Sequence, residues 1–397
     1  MGARPTRPPP CEICGQSQWE ILLTNEGPSV CSGRELVRAD VPLVKGACAG
    51  CGFVQTLQSP LDGSIDRYHR DVFSSKLHSD NYDYVNYARG KAFGAAVNDF
   101  VLAHDFAPRG RLLDIGCGKG LFEQAFLARY PEWSVEGVDP SQRSIEIARR
   151  LAPQATFSCR SFQGADYATD SYDLVAMHMV LNRVPPRDFV RDAVGLMANG
   201  GILSVAIAVL PEAPFQLYFA DDYYLFFPEH LFALMEEYGL EVVAHDEVGS
   251  IWRYLLRKTD RKAGRWRTVL TRVGDQFRSH ARMMIGMWRE LLEEIEQLKR
   301  DGQHVAFYGA GTTLMIILSQ TDFPRALIAG IFDDNDHKHG ETMWGLRVQP
   351  PGDALERADA IVLCAGPSGV RTMRDRLNLP GKRTIGFGLV QPAAVVS

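Results

Sequence analysis

The stretch Leu112-Leu113-Asp114-Ile115-Gly116-Cys117-Gly118-Lys119-Gly120 limits the fold more than any other part of the chain. It reads as an apolar strand that breaks into a glycine-rich turn. A helix follows over Leu121–Arg129. Glycines at such a turn let the backbone approach a ligand closely. The pattern around it repeats. Apolar runs at Arg111–Ile115, Ser134–Val138, Ala155–Cys159, Leu174–Met177 and Gly201–Ala208 are mostly separated by helical periodicity. That alternation predicts an α/β fold with a doubly wound parallel sheet. A smaller version follows at Val305–Tyr308, Leu327–Phe332, Ala360–Cys364 and Arg383–Phe387.

The residues beside the glycines specify the ligand further. Asp139 ends the next strand, in Val135-Glu136-Gly137-Val138-Asp139-Pro140-Ser141, where a carboxylate can hold two ribose hydroxyls. Asp114 precedes the glycines directly. A carboxylate there is badly placed beside a pyrophosphate and well placed beside an amino-acid ammonium. The pair therefore favours S-adenosylmethionine over a dinucleotide.

Five of the eight cysteines fall within the first 51 residues. Cys11 and Cys14 form one C-x-x-C, Cys48 and Cys51 another, and Gly15 and Gly52 follow them. Two such knuckles suit a tetrahedral structural zinc with four thiolates. A metal would also close a segment of about 60 residues whose core is thin. Cys31 is a substitute ligand or a small buried residue. The spacing divides the chain into a zinc-binding module over 1–70, an S-adenosylmethionine-binding core over 71–260, a connecting helix over 261–303 and a Rossmann-like domain over 304–397. In the connecting segment Leu291, Ile295 and Leu298 recur at helical spacing.

The second glycine turn, Tyr308-Gly309-Ala310-Gly311, is followed by Asp333 and Asp334. It lacks a third glycine, so a structural or substrate-holding role is expected ahead of a cofactor site. The net charge is −5, from 43 basic and 48 acidic residues. Capture of nucleic acid or an anionic membrane is therefore not expected. No apolar run reaches the roughly 18 residues of a membrane span. The expected setting is cytoplasmic and the expected partner a small molecule; the sequence does not specify an oligomeric state.

Taken in order, LLDIGCGKG, GVDPS, SYDLVAMHMVL (Ser171–Leu181) and MANGGILSVAI (Met197–Ile207) resemble the motifs of class I S-adenosylmethionine-dependent methyltransferases. The resemblance implies that Gly116, Cys117, Gly118 and Gly120 line the methionine end of the cofactor, with Asp114. It also implies that Asp139 and Pro140 border the ribose and that Ser161 and Phe162 flank adenine; Phe162 also reads as core. The whole arrangement is similar to the three-domain sugar C-methyltransferases, which act on nucleotide-linked keto-sugars. Those carry a Tyr-His-Glu-His segment where this chain has Phe227-Pro228-Glu229-His230. Their histidine after the fourth strand corresponds to Arg183, and their lysine after Tyr-Gly-Ala is absent. The resemblance thus implies carbon methylation of a nucleotide-linked sugar, while the altered set leaves an oxygen acceptor open. A scaffold that has lost activity is the alternative of another class.

The residues permit several assignments. His230, with Glu229 orienting it, reads either as a base or as part of a helix start. His178, at the end of the fourth strand, reads as a base or as a contact to the cofactor. Arg183 reads as an anion partner or a surface residue. Tyr68, Tyr82, Tyr84 and Tyr87 suggest a lid. Phe219–Phe227, with Asp221 and Asp222, reads as a specificity loop or a hydrophobic cap.

Overall fold

A computed structural model of the protein describes residues 8–32, 36–37, 41–61, 67–68, 70, 97–248, 250–261, 265–352, 355, 357–377 and 381–388. Tyr82, Tyr84 and Tyr87 lie outside these residues. Among the described residues, no helix is long and apolar enough to cross a membrane.

The central sheet has seven strands. In chain order they are β6 (Arg111–Ile115), β7 (Ser134–Asp139), β8 (Thr156–Cys159), β9 (Tyr172–His178), β10 (Met197–Ala208), β12 (Leu240–Val248) and β13 (Ile251–Lys258). Their spatial order is β12-β13-β10-β9-β6-β7-β8. Strands β6 to β10 run parallel and their inner residues are buried on both faces, which explains their unbroken apolar runs. The last two strands form an antiparallel hairpin with β13 against β10. Between the strands lie α1 (Leu121–Arg129), α2 (Gln142–Leu151) and α3 (Pro186–Leu196). Helix α2 starts where Ser141 Oγ accepts the Ser144 N–H at 3.1 Å, and it buries Ile145 and Ala148.

The cysteine module carries β1 (Trp19–Asn25), β2 (Ser29–Val30), β3 (Leu36–Val37), β4 (Leu43–Cys48) and β5 (Val54–Gln58). Its sheet, β1-β4-β5-β11, takes its edge strand β11 (Tyr224–Leu225) from the central domain. The module is thus stitched to the loop after β10. Helix α4 (Pro228–Glu237) follows that loop.

Helix α5 (Arg265–Arg300) joins the two α/β domains over 36 residues. Its buried residues include Leu270, Gly274, Ala281, Ile285, Trp288, Leu291, Ile295 and Leu298, so one face packs on the body as its periodicity predicts. The C-terminal sheet comprises β14 (Val305–Tyr308), β15 (Ile328–Phe332), β16 (Thr342–Met343), β17 (Leu346–Gln349), β18 (Ala360–Leu363) and β19 (Arg383–Gly386), in the order β16-β17-β15-β14-β18-β19. Helices α6 (Thr312–Thr321) and α7 (Pro367–Leu377) accompany it.

Candidate active site and cysteine centre

The glycine turn sits at the carboxyl end of β6. Gly116, Gly118 and Gly120 have φ of 81°, 52° and 74°. At Gly116 a Cβ would stand 2.6 Å from Val180 Cγ2, so the loop after β9 closes directly over the turn. Asp139 fixes the turn from the end of β7. Its Oδ2 accepts the Gly118 N–H at 3.1 Å and its Oδ1 the Ser141 N–H at 2.8 Å. Burial raises its carboxyl, and these two donors oppose that rise.

Asp114 is 3% exposed and its Oδ1 has no hydrogen-bond partner among the described residues. Burial, and then the charge of Asp139, push its carboxyl up to about 8. A buried carboxylate without a cation is costly. The position therefore suits a cationic ligand group. Orphaned acceptor, open glycine turn and backbone-clamped Asp139 together fit the ammonium, amino-acid backbone and ribose of S-adenosylmethionine.

The other expected residues divide into groups. Pro140 adjoins Asp139 and accepts a contact from Cys159 Sγ at 3.6 Å. Ser161 is exposed, while Phe162 is half-buried and packs on Tyr167 and Phe189 at centroid separations of 5.7 and 5.5 Å. His178 ends β9, with Nε2 2.8 Å from Ser204 Oγ and its ring on Phe122. Burial pushes His178 down to about 4, so its ring is neutral near pH 7.

Arg183 is no surface residue; it is an anion partner of the chain's own carboxylates. It lies 3.7 Å from Asp221 Oδ2 and 3.3 Å from Asp222 Oδ1, and its Nη1 donates to the Met179 carbonyl at 2.6 Å. Asp221 and Asp222 are 0% and 2% exposed. Ser32 donates to Asp221, and Gln216 Nε2 donates to Asp222 at 2.8 Å. Lys45, fully buried on β4, donates to Thr56 Oγ1 at 2.7 Å and to the Asp222 carbonyl. The aromatic–acidic loop is therefore neither a plain cap nor an open loop. It is the core of an ionic network shared with the cysteine module.

His230 takes the helix-start position. Helix α4 begins with Pro228 and has Glu229 in its first turn. The His230 side chain is fully enclosed, with Nε2 2.9 Å from the Cys51 carbonyl oxygen. Phe53, Phe227 and Phe277 surround it at 5.3, 5.7 and 4.7 Å between centroids. None of these neighbours belongs to the glycine turn or to the loop after β9. Burial pushes this ring too down to about 4, leaving it neutral with Nε2–H donating.

The two knuckles fold alike. Gly15 N–H donates to the Cys11 carbonyl at 2.8 Å and Gly52 N–H to the Cys48 carbonyl at 2.9 Å. The four sulfurs of Cys11, Cys14, Cys48 and Cys51 lie within 4.8 Å of one another. Cys11–Cys51 and Cys14–Cys48 are 3.6 and 3.4 Å apart. Thiolates at 2.3 Å from a tetrahedral zinc stand about 3.8 Å apart, so the set fits that ion. Cys31 is buried away from it, with Leu61, Tyr68 and Ala220.

In the C-terminal domain Asp333 repeats part of the Asp139 arrangement. It accepts from Ala310 N at 2.8 Å and from Asn335 N at 3.0 Å. Lys338 Nζ, however, sits 2.7 Å from its Oδ2. Burial alone would raise this carboxyl, but Lys338 holds it below the usual range. Lys338 thus occupies the carboxylate oxygen that a ribose hydroxyl would take.

Sheet order, glycine turn and paired acids are those of the class I methyltransferase fold. Residues 84–245 match the family described as methyltransferase domain, and residues 269–365 match the C-methyltransferase C-terminal domain. By domain content the chain carries a methyltransferase domain followed by a C-methyltransferase C-terminal domain. A trans-aconitate 2-methyltransferase of Methylobacterium radiotolerans is 36% identical over 109 residues, 25% of this chain and 38% of that protein. A malonyl-[acyl-carrier protein] O-methyltransferase of Legionella pneumophila is 30% identical over 108 residues, 26% and 37% of the two chains. The chain thus spans about two fifths of the length of these curated relatives. A solved methyltransferase from Methanosarcina mazei has a TM-score of 0.34 at 15% identity, covering 40% of this chain and 96% of that one.

Proposed function

We propose that the protein methylates a carbon of a nucleotide-linked keto-sugar, held between the central and C-terminal domains, and that a structural zinc fills the four-cysteine centre. The observation that carries the cofactor half is Asp114, a buried carboxylate with an oxygen left for a cation. The carbon acceptor is supported by the C-methyltransferase C-terminal domain match.

When bound, S-adenosylmethionine supplies a methyl group on a sulfonium that is already a good leaving group. The chain must then bind, align and exclude water. In this reading Asp114 takes the ammonium, Asp139 and Pro140 border the ribose, and Ser161 and Phe162 flank the adenine. Gly116, Cys117, Gly118 and Gly120 give backbone access along the methionine end. His178, neutral beside Ser204, accepts the proton of the acceptor. Arg183 sets the loop over the turn through Asp221 and Asp222. Glu229 and His230 anchor α4 and the cysteine module that the loop rests on.

One observation favours an oxygen acceptor as the second reading. Phe227 offers no hydroxyl and His230 is enclosed, so the acid–base set of the resembling sugar C-methyltransferases is not assembled as such. The test is S-adenosylhomocysteine formation with keto and reduced nucleotide-sugars, with product mass and hydrogen exchange in deuterated water. A methylated product with deuterium beside the ketone supports carbon transfer. A methyl ether without exchange supports oxygen. No turnover across the panel removes the sugar reading.

A further inference from the structure

One buried acid plays no part in the account above. Glu123 is the third residue of α1 and is 0% exposed. An acid in a first helical turn ordinarily lies in water, where it favours the helix dipole. This one lies against the sheet. A Cβ on Gly137 would stand 2.7 Å from Glu123 Oε1, so β7 leaves room for the carboxyl because residue 137 is glycine. The groups facing Glu123 are Asp114 from β6, Asp139 from β7 and the Cys117 thiol of the turn, and Lys119 is buried in that same turn. The charges acting most strongly on Glu123 are both negative. An ionised Glu123 would stand out of water against two carboxylates, so it keeps its proton. Neither of its oxygens has a hydrogen-bond partner among the described residues, and Asp114 pairs in register with the Gly137 that lies over it, which leaves the Asp114 carboxylate as the acceptor available to its O–H. Asp114 Oδ1 is left without a partner.

We propose that protonated Glu123 is a positioning residue for Asp114, and that capture of a ligand ammonium releases one proton from this carboxyl pair. The inference rests on the S-adenosylmethionine reading of the site. The balance is simple. Burial and mutual repulsion raise both carboxyls out of the ordinary range, so the free pair carries two protons at neutral pH. With the ammonium bound, Asp114 is a carboxylate, Glu123 keeps its proton, and the other passes to solvent.

Two ligands separate this inference from the reading beneath it. S-adenosylhomocysteine carries the amino-acid ammonium, while methylthioadenosine is the same nucleoside without it. Titration calorimetry from about pH 6 to 9, in buffers of different ionisation enthalpy, counts the protons. S-adenosylhomocysteine affinity is expected to rise about tenfold per pH unit up to about 8 and then level, with close to one proton released near pH 7. Methylthioadenosine affinity stays flat. Glu123→Gln keeps an N–H donor and retains affinity within about threefold at pH 8.5, whereas Glu123→Leu loses at least tenfold there and moves the break upward. Methylthioadenosine binding by each variant checks its fold, and the wild-type proton count stands regardless. S-adenosylhomocysteine binding with a flat pH profile and no released proton overturns the inference alone. So does a leucine variant with the wild-type profile. Failure of both ligands to bind the wild type overturns the inference and the cofactor reading together.

Discussion

Asp139 spends both oxygens on backbone N–H groups, Gly118 at 3.1 Å and Ser141 at 2.8 Å. It therefore shapes the turn as well as facing the ligand. Asp139→Ala leaves two backbone donors without acceptors, and hydrogen bonds to a charged group contribute about 1.5–3 kcal/mol. The expected result is at least tenfold weaker S-adenosylhomocysteine binding by calorimetry, with a small fall in melting temperature. Unchanged affinity would remove Asp139 from the site. Such a residue is legible in sequence because the strand end and its spacing from the glycines fix its place. Glu123 is not. In sequence it is an ordinary first-turn acid, and only the pairing of β6 with β7 shows that it lies under Gly137. Lys45 is hidden similarly, since a lysine in a strand reads as a solvent-facing position until Asp222 is seen to lie on it. His230 was legible as two alternatives, and packing of Cys51 and Phe277 around it decides its surroundings.

Two glycines of α5 differ in kind although the sequence presents them alike. A Cβ on Gly274 would stand 2.6 Å from the Gly50 carbonyl oxygen and 3.2 Å from Cys51 Cα, both backbone contacts that no side-chain rotation relieves. Gly286 meets nothing within 4 Å. Gly274→Ala is therefore expected to destabilise by about 1–3 kcal/mol, by lifting the helix from the second knuckle. Gly286→Ala should stabilise by about 0.5–1 kcal/mol through helix propensity. Urea denaturation of the pair checks this, and equal effects would mean that α5 does not press on the knuckle. The parallel strands and α1 were legible to within a residue or two, because buried apolar runs ended by glycine or acid leave little freedom; the exception is β10, which begins at Met197, four residues before the apolar run at Gly201. The β12–β13 hairpin and the loan of β11 to the module were not. Two residues carry no period, and an antiparallel return depends on partners far away in the chain.

At the scale of the whole molecule, the cysteine centre and the Asp221–Asp222 loop form one mechanical unit. Cys48 ends β4, the strand that holds Lys45, and Lys45 donates to the Asp222 carbonyl. Arg278 of α5 donates to the carbonyls of Cys48 and Ala49. His230 of α4 donates to the Cys51 carbonyl. Loss of a metal from Cys11, Cys14, Cys48 and Cys51 would therefore loosen β4, β11 and the Arg183–Asp221–Asp222 network together. The glycine turn depends on none of these contacts, since Asp139 and the parallel strands hold it. Chelation is thus expected to lower the melting temperature and to release about one zinc per chain. It should cut turnover at least tenfold while S-adenosylhomocysteine affinity holds within about twofold. Thermal melting, metal analysis, a turnover assay and titration calorimetry on the same chelated sample check all four. Parallel loss of cofactor affinity and turnover would mean that the module supports the entire core. Full turnover after complete metal loss would mean that the cysteine centre does not support the Asp221–Asp222 loop.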